Sequence, residues 1–429
     1  MKKLLYLGAC ALSMAFYSAG TAPLLADETC NSPFMSSLIK GQEKYLQVWT
    51  LGVVGMGDES DKLVTIDVDP NSSHYGKVIN SLSVGGRGEA HHMGFSDDRR
   101  YLWAGRLDDN KIFIFDLADP SKPKLANTIS DFSAKTGFVG PHTFYALPGR
   151  MAVQALSNAK NHDGVTGIAI YNNAGELLST HPMPVTDGGD GYGYDIGINP
   201  KQNVMLTSSF TGWTNYMMDL GKLVKDPAAM KNFGNTMAVW DFKSMKPQKV
   251  LSVPGAPLEI RWSLKPEDNW AVTATALTSK IYLVKQDSAG EWQAKAVADV
   301  GDPSKVPLPV DISISSDANH LWVNTFMDGT AHLFDISNPE APKEVYTKKI
   351  GNQVNMVSQS YDGKRVYFTT SLLSNWDMKA DKDDQFLKAY DWDGKELVEK
   401  FEVNFAALKL GRAHHMKFTA AVEKADLGD

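Results

Sequence analysis

Two short patterns of apolar and polar residues alternate along the chain. The first is clearest in KIFIFDLADPSKPKL at 111–125: an alternating strand, an Asp, a turn rich in Pro and Ser, and the start of another strand. AHLFDISNPEAPKEV at 331–345 repeats it closely, and looser copies begin at 63, 167, 237, 281 and 387, making seven at spacings of 44 to 70 residues. That spacing suits four-stranded blades with loops of variable length. The second pattern is a short strand, a polar turn and a strand carrying Trp, Val or Tyr. It precedes the first in HHMGFSDDRRYLWAG, PHTFYALPGRMAVQA, GYDIGINPKQNVMLTSS, PLEIRWSLKPEDNWAVTAT, VDISISSDANHLWVNT and VNMVSQSYDGKRVYFTT. A seventh copy, HHMKFTAA from 414, breaks off, and its missing outer strands have to come from YLQVWTLG at 45 and the copy at 63. The pattern therefore predicts an all-β chain. It forms a seven-bladed β-propeller over residues 45–420, closed by N- and C-terminal strands in one composite blade, with an N-terminal extension at 27–44 and a tail at 421–429.

Taking the second pattern as the innermost strand of each blade puts His91, His142, Tyr194, Asp311, Asn355 and His414 at one height, with Leu258 and Glu259 bracketing the seventh position. Ring closure makes the blade of His414 the neighbour of the blade of His91, which neighbours that of His142. The doublets in EAHHMGF (89–95) and RAHHMKF (412–418) thus become adjacent rungs at the channel mouth, and their imidazoles converge. Such a set suits copper, zinc, nickel or iron and not the oxygen-seeking ions. In a regular strand His92 and His415 point to the opposite face, so they join the set only if the strand opens with a bend. Glu89, Glu259 and Asp311 are candidates for orienting imidazole N–H groups. His74, His162, His181, His320 and His332 are read as ordinary core or surface residues, and the aromatic phrases as blade packing.

Composition narrows the partners. Lys2, Lys3, an apolar run from Leu4 to about Ala19 and small residues up to Ala26 have the layout of a secretory signal peptide cleaved after Ala26, which implies an exported protein. The run is shorter than the roughly 20 residues a spanning helix needs. Cleavage removes two of the 43 basic residues and none of the 50 acidic ones, taking the net charge from −7 to −9. An acidic chain of this kind suits neither nucleic acid nor an anionic membrane surface. Cleavage also removes Cys10 and leaves only Cys30, so no intramolecular disulfide forms and the core alone must stabilise the fold. GGDGYG at 188–193 has no βαβ surroundings and is not a nucleotide fingerprint, and no G-x-S-x-G, H-E-x-x-H or C-x-x-C occurs.

LVTIDVDPNSSHYGKVI, EAHHMGF, SKPKLANTI, GYDIGINPKQNVMLTSS, PLEIRW, HLFDISNPEAPK, DGKRVYFTTSLLSNWD and LGRAHHMKF, in this order from about residue 45 to 418, together resemble the selenium-binding protein family, and within it the bacterial methanethiol oxidases. The resemblance implies a propeller, a periplasmic location and copper. It also implies oxidation of methanethiol by dioxygen and water to formaldehyde, hydrogen sulfide and hydrogen peroxide. Its copper histidines correspond to His91, His92, His142 and His414, while His415 falls where relatives often carry Glu and is expected behind the ligands. Calcium is retained as an additional cofactor with no residues assigned to it. Animal members carry a cysteine, implicated in holding selenium, where this chain has Gly76, so selenium binding through that position is not expected. The rival to an oxidase is a copper-binding or copper-delivery propeller without chemistry; a third reading is a protein-interaction platform with structural histidines. Oligomeric state is not legible from the sequence.

Overall fold

The computed structural model describes residues 42–265, 267–377 and 385–420. The signal-peptide segment, Cys30 and the tail after 420 lie outside them. Among the described residues no helix is long and apolar enough to cross a membrane.

Seven antiparallel sheets of four strands make up the fold. In blades 2 to 7 the strands follow chain order, beginning with Ala90–Phe95, Phe138–Leu147, Ile196–Asn199, Pro257–Trp262, Pro309–Ile314 and Val357–Gln359. Blade 1 is composite: the C-terminal strand Arg412–Ala420 pairs with Glu43–Leu51, which continues into Lys62–Asp67 and Val78–Ser83. The expected closure is therefore present, starting two residues earlier than the sequence pattern suggested.

Burial follows the blade from axis to rim. First strands such as Ala90–Phe95 and Pro257–Trp262 are buried at every position, whereas the outermost strands Val78–Ser83 and Leu177–Pro182 alternate half-buried and exposed. This is the period-two signature of an edge with one face in water. Apolar side chains of neighbouring blades interlock between the sheets. At the closure, Leu46, Val48 and Met416 of blade 1 pack with Met356, Tyr367 and Leu387 of blade 7.

One buried ion pair crosses that closure. Glu43, fully buried at the start of the N-terminal strand, accepts from Arg365 Nη2 of blade 7 at 2.7 Å and from the Tyr361 amide at 3.3 Å. Burial pushes the Glu43 carboxyl up while the facing guanidinium opposes the shift. Removing Glu43 leaves the Arg365 charge buried, with a 3.3 Å contact to Asp362 and the neighbouring Tyr367 in place of a full carboxylate pair. Glu43→Ala should thus lower unfolding free energy by about 3 kcal/mol, read as a lower denaturant midpoint; an unchanged midpoint would remove the pair from the closure.

Candidate metal centre

The innermost strands do not run straight at the channel mouth. In blade 2, Ala90 faces Arg106 and Met93 faces Ala104, so His91 and His92 together stand opposite the single residue Gly105. In blade 1, Ala413 faces Thr50 and Met416 faces Val48, so His414 and His415 stand opposite Trp49. In blade 3, Pro141 faces Ala155 and Thr143 faces Gln154, which leaves His142 as the extra residue. Each is a β-bulge, the device that re-aims a side chain out of strict alternation. Blade 5 has the same irregularity at Leu258 and Glu259, and blade 6 at Val310.

The bulges are held against one another. Trp49, opposite one doublet, donates its indole N–H to the carbonyl of Gly105, opposite the other, at 2.9 Å. Gly105 in turn must lack a side chain, because a Cβ there would lie 2.3 Å from the Pro141 carbonyl oxygen of blade 3.

Four imidazoles meet as a result. Ring centroids lie 4.0 Å apart for His91 and His414, 4.7 Å for His91 and His142, and 4.1 Å for His92 and His142. One ring nitrogen each from His91, His92 and His142 falls within 4.8 Å of the others. Tautomers follow from the partners of the remaining nitrogens. A carbonyl only accepts, so Nδ1 of His142, 3.0 Å from the Tyr194 carbonyl, and Nδ1 of His414, 2.7 Å from the Ser371 carbonyl, both carry protons. Their Nε2 atoms keep the lone pairs, and both are buried without a partner. His91 and His92 leave Nδ1 buried without a partner.

Burial, reinforced by the adjacent rings, holds His91, His92 and His142 well below the ordinary imidazole range, and burial brings His414 down to about 3. Three of these neutral rings, His91, His92 and His142, bring one nitrogen each within 4.8 Å of the others, and His414 stacks on His91 beside them; late transition metals take such donors, and the orphaned nitrogens otherwise carry a desolvation penalty. The residues present therefore fit a copper ion.

His415 is placed differently. Its Nδ1 accepts the Met93 amide at 2.9 Å, and its ring stacks on His92 with centroids 4.6 Å apart, so it buttresses His92 from behind. Of the three carboxylates expected to orient imidazoles, Glu259 comes nearest, its Oε1 lying 3.7 Å from Nε2 of His92 without a hydrogen bond. Glu89 and Asp311 touch no imidazole among the described residues. Glu89 binds the amide and hydroxyl of Ser374 instead, at 3.1 and 2.5 Å, and Asp311 accepts from Arg261 at 3.1 Å and the Val357 amide at 2.8 Å. The alignment put Asp311 at the height of the imidazoles, but its carboxylate turns to Arg261. Backbone carbonyls of Tyr194 and Ser371 do the orienting, and carbonyls carry no sequence signal.

Two further features were not read from the sequence. Arg261 sits among Asp195, Glu259 and Asp311, a buried cation among three acids. Burial, with Asp195 beside it, pushes Glu259 well above the carboxylate range, and burial raises Asp311 to about 7. Over the channel mouth lies a cap from blade 4, where strands Val204–Thr207 and Thr236–Asp241 are joined by a long excursion containing the short helices Trp213–Tyr216, Leu220–Leu223 and Pro227–Met230. Asp219 and Asp226 cap the last two, and Pro227 opens the third. The cap is tied to the loop after Thr370 by Asn375 Nδ2 donating to the Met217 carbonyl at 3.0 Å and Trp376 Nε1 donating to that of Met218 at 3.1 Å. The excursion's unusual length and the Asp226-Pro227 opening of its third helix were the available signals.

Known proteins place the chain. A methanethiol oxidase of Hyphomicrobium sp is 74% identical over 100% of this chain and 98% of its own length, and one of Ruegeria pomeroyi is 57% identical over 96% of each. A crystal structure titled hypothetical selenium-binding protein, from Sulfolobus tokodaii, superposes with a TM-score of 0.76 at 24% identity, covering 91% of this chain and 97% of that one, and so shares the fold. The model of the 56 kDa selenium-binding protein family matches residues 25–426, and the chain belongs to that family.

Proposed function

We propose that this protein is a copper-dependent methanethiol oxidase, converting methanethiol, dioxygen and water to formaldehyde, hydrogen sulfide and hydrogen peroxide. The observation that carries the reading is the set of four unpartnered, buried nitrogens on His91, His92, His142 and His414, in a chain so similar to two methanethiol oxidases. Bound there, copper would supply a soft site for a thiolate and a one-electron route to dioxygen. The chain's own residues do the rest. Tyr194 and Ser371 fix the proton on Nδ1 of His142 and His414, leaving their Nε2 atoms free to donate. His415 stacks on His92 from behind, and the Glu259 carboxyl stands 3.7 Å from its Nε2. The cap over the mouth limits the entry of bulk water. Glu259, with its carboxyl raised, stands as a proton-carrying group beside His92.

Asp195, Glu259 and Asp311 surround Arg261, and the reading assigns calcium no residues. The signal-like N-terminus favours action in the periplasm, with fractionation of a tagged chain as its test. The rival, copper handling without chemistry, uses the same histidines and differs in showing no oxygen uptake on any thiol.

His414→Ala should abolish both copper retention, by elemental analysis, and methanethiol-dependent oxygen uptake; full copper with full rate would sink the assignment. Gly105→Ala, which drives a methyl into the Pro141 carbonyl, should weaken copper binding by roughly 10- to 100-fold, the loss typical of disturbed ligand support, with the propeller still folded by circular dichroism. Protons compete for an imidazole only near and below its pKa. Because all four are depressed, bound copper should survive dialysis at about pH 5, where ordinary histidine sites are protonated. Release at that pH would show that the rings titrate normally.

A further inference from the structure

The two sides of the histidine cluster are chemically opposite, and the division falls between two consecutive residues. At the blade 5 bulge, Glu259 faces His92 and Arg261, whereas Leu258 lines a small pocket on the side of the cap. His91 forms one wall of that pocket, and Phe210, Leu156, Leu373 and Trp376 close it. Apart from His91 and Tyr194, every lining side chain is apolar, and Tyr194 is the residue whose carbonyl orients His142. The closing parts come from both halves of the tied assembly, Phe210 from the blade 4 excursion and Trp376 from the blade 7 loop, with edge-to-face rings 5.7 Å apart.

Resting on the methanethiol reading, we propose that this pocket holds the substrate's methyl group, and that Leu258 and Leu156 set the chain length accepted. The sulfur is then directed at the imidazoles and the carbon at the apolar wall. A thiol carrying an ammonium or carboxylate, such as an amino-acid thiol, would bury that charge with no partner and is refused. A longer alkyl thiol meets the wall formed by Leu258 and Phe210. Hydrogen sulfide, the smallest thiol and a product of the proposed reaction, makes no contact with the wall and leaves. Discrimination of this kind is worth about 10- to 200-fold for one methylene.

The test is the ratio of kcat/KM for ethanethiol to that for methanethiol in the copper-loaded wild type, in Leu258→Ala and in Leu156→Ala. Neither Leu258 nor Leu156 carries a side-chain hydrogen bond, so the exchange changes volume alone. A rise of about tenfold or more in the ratio, at unchanged copper content, is the expected result. Crystals of metal-free Leu258→Ala under xenon should show the gas beside His91, a readout independent of turnover. Should Leu258→Ala fail to fold, Leu156→Ala carries the same comparison from the blade 3 wall. A wild type active on methanethiol, with the ratio unchanged in the folded variants and no xenon in the pocket, overturns the pocket and leaves the oxidase standing. A copper-loaded wild type inert on methanethiol overturns both.

Discussion

The site depends on one pairing, that of Arg412–Ala420 with Glu43–Leu51. Without it the ring stays open, and His414 lies more than three hundred residues from His91 with nothing to bring them together. With it, their rings stand 4.0 Å apart. Loop-closure entropy grows slowly with length, so a contact this remote in sequence is costly mainly in being formed late, not in being kept. Glu43 and Arg365 add a charge pair at the same seam, and Leu46, Val48 and Met416 bury its apolar side. Stability and function are thus coupled at the closure: a variant that loosens the composite blade loses a proposed ligand together with its fold.

Alternation along a strand sends neighbours to opposite faces, so a histidine doublet should deliver one imidazole to the axis and one to the blade interior. Bulges at three adjacent blades change that. They turn both members of the doublet in blade 2 toward one point and leave the doublet in blade 1 split, His414 joining the cluster and His415 bracing His92. Trp49, Gly105 and Pro141 interlock the three bulges in a way that a single side chain at Gly105 would break. Preorganisation here is a property of backbone irregularity supported by packing. It accounts for four buried neutral rings whose unpartnered nitrogens an apolar core would not tolerate unless something occupied them.

Repeats made the architecture legible, since each blade restates the same alternation and the broken copy at the end announces the closure. The histidines were legible for the same reason, because aligned strands put them at one height. What the sequence withheld depended on the third dimension or on the main chain. Asp311 shares the height of the imidazoles yet turns to Arg261, and Glu89, two residues before His91, turns to Ser374; no periodicity reports a side chain's direction at a bulge. The partners of His142 and His414 are carbonyl oxygens, which every residue has. His92 needed a bend that alternation argues against, and only the resemblance raised it to a ligand. The cap was hidden because its helices are too short for a 3.6-residue period to register.

Oxidising a small thiol requires a soft, dry place for sulfur and carbon, and a wet or proton-bearing place for water and hydroxyl groups. A propeller mouth is well suited to supply both, since its first strands present seven positions around one axis and each can differ. In this chain the blades divide the task. Blades 1 to 3 give the imidazoles; Glu259, Arg261, Asp195 and Asp311 from blades 4 to 6 gather charge on one side, and Phe210, Leu258 and Trp376 line an apolar pocket on the other. Leu258 and Glu259, adjacent in sequence and facing opposite ways, mark where the boundary runs. The fold itself is indifferent to this polarity, for the same seven sheets would close with any apolar first strands. What distinguishes the chain is that one bulge separates its apolar side from its charged side at the height where the imidazoles meet.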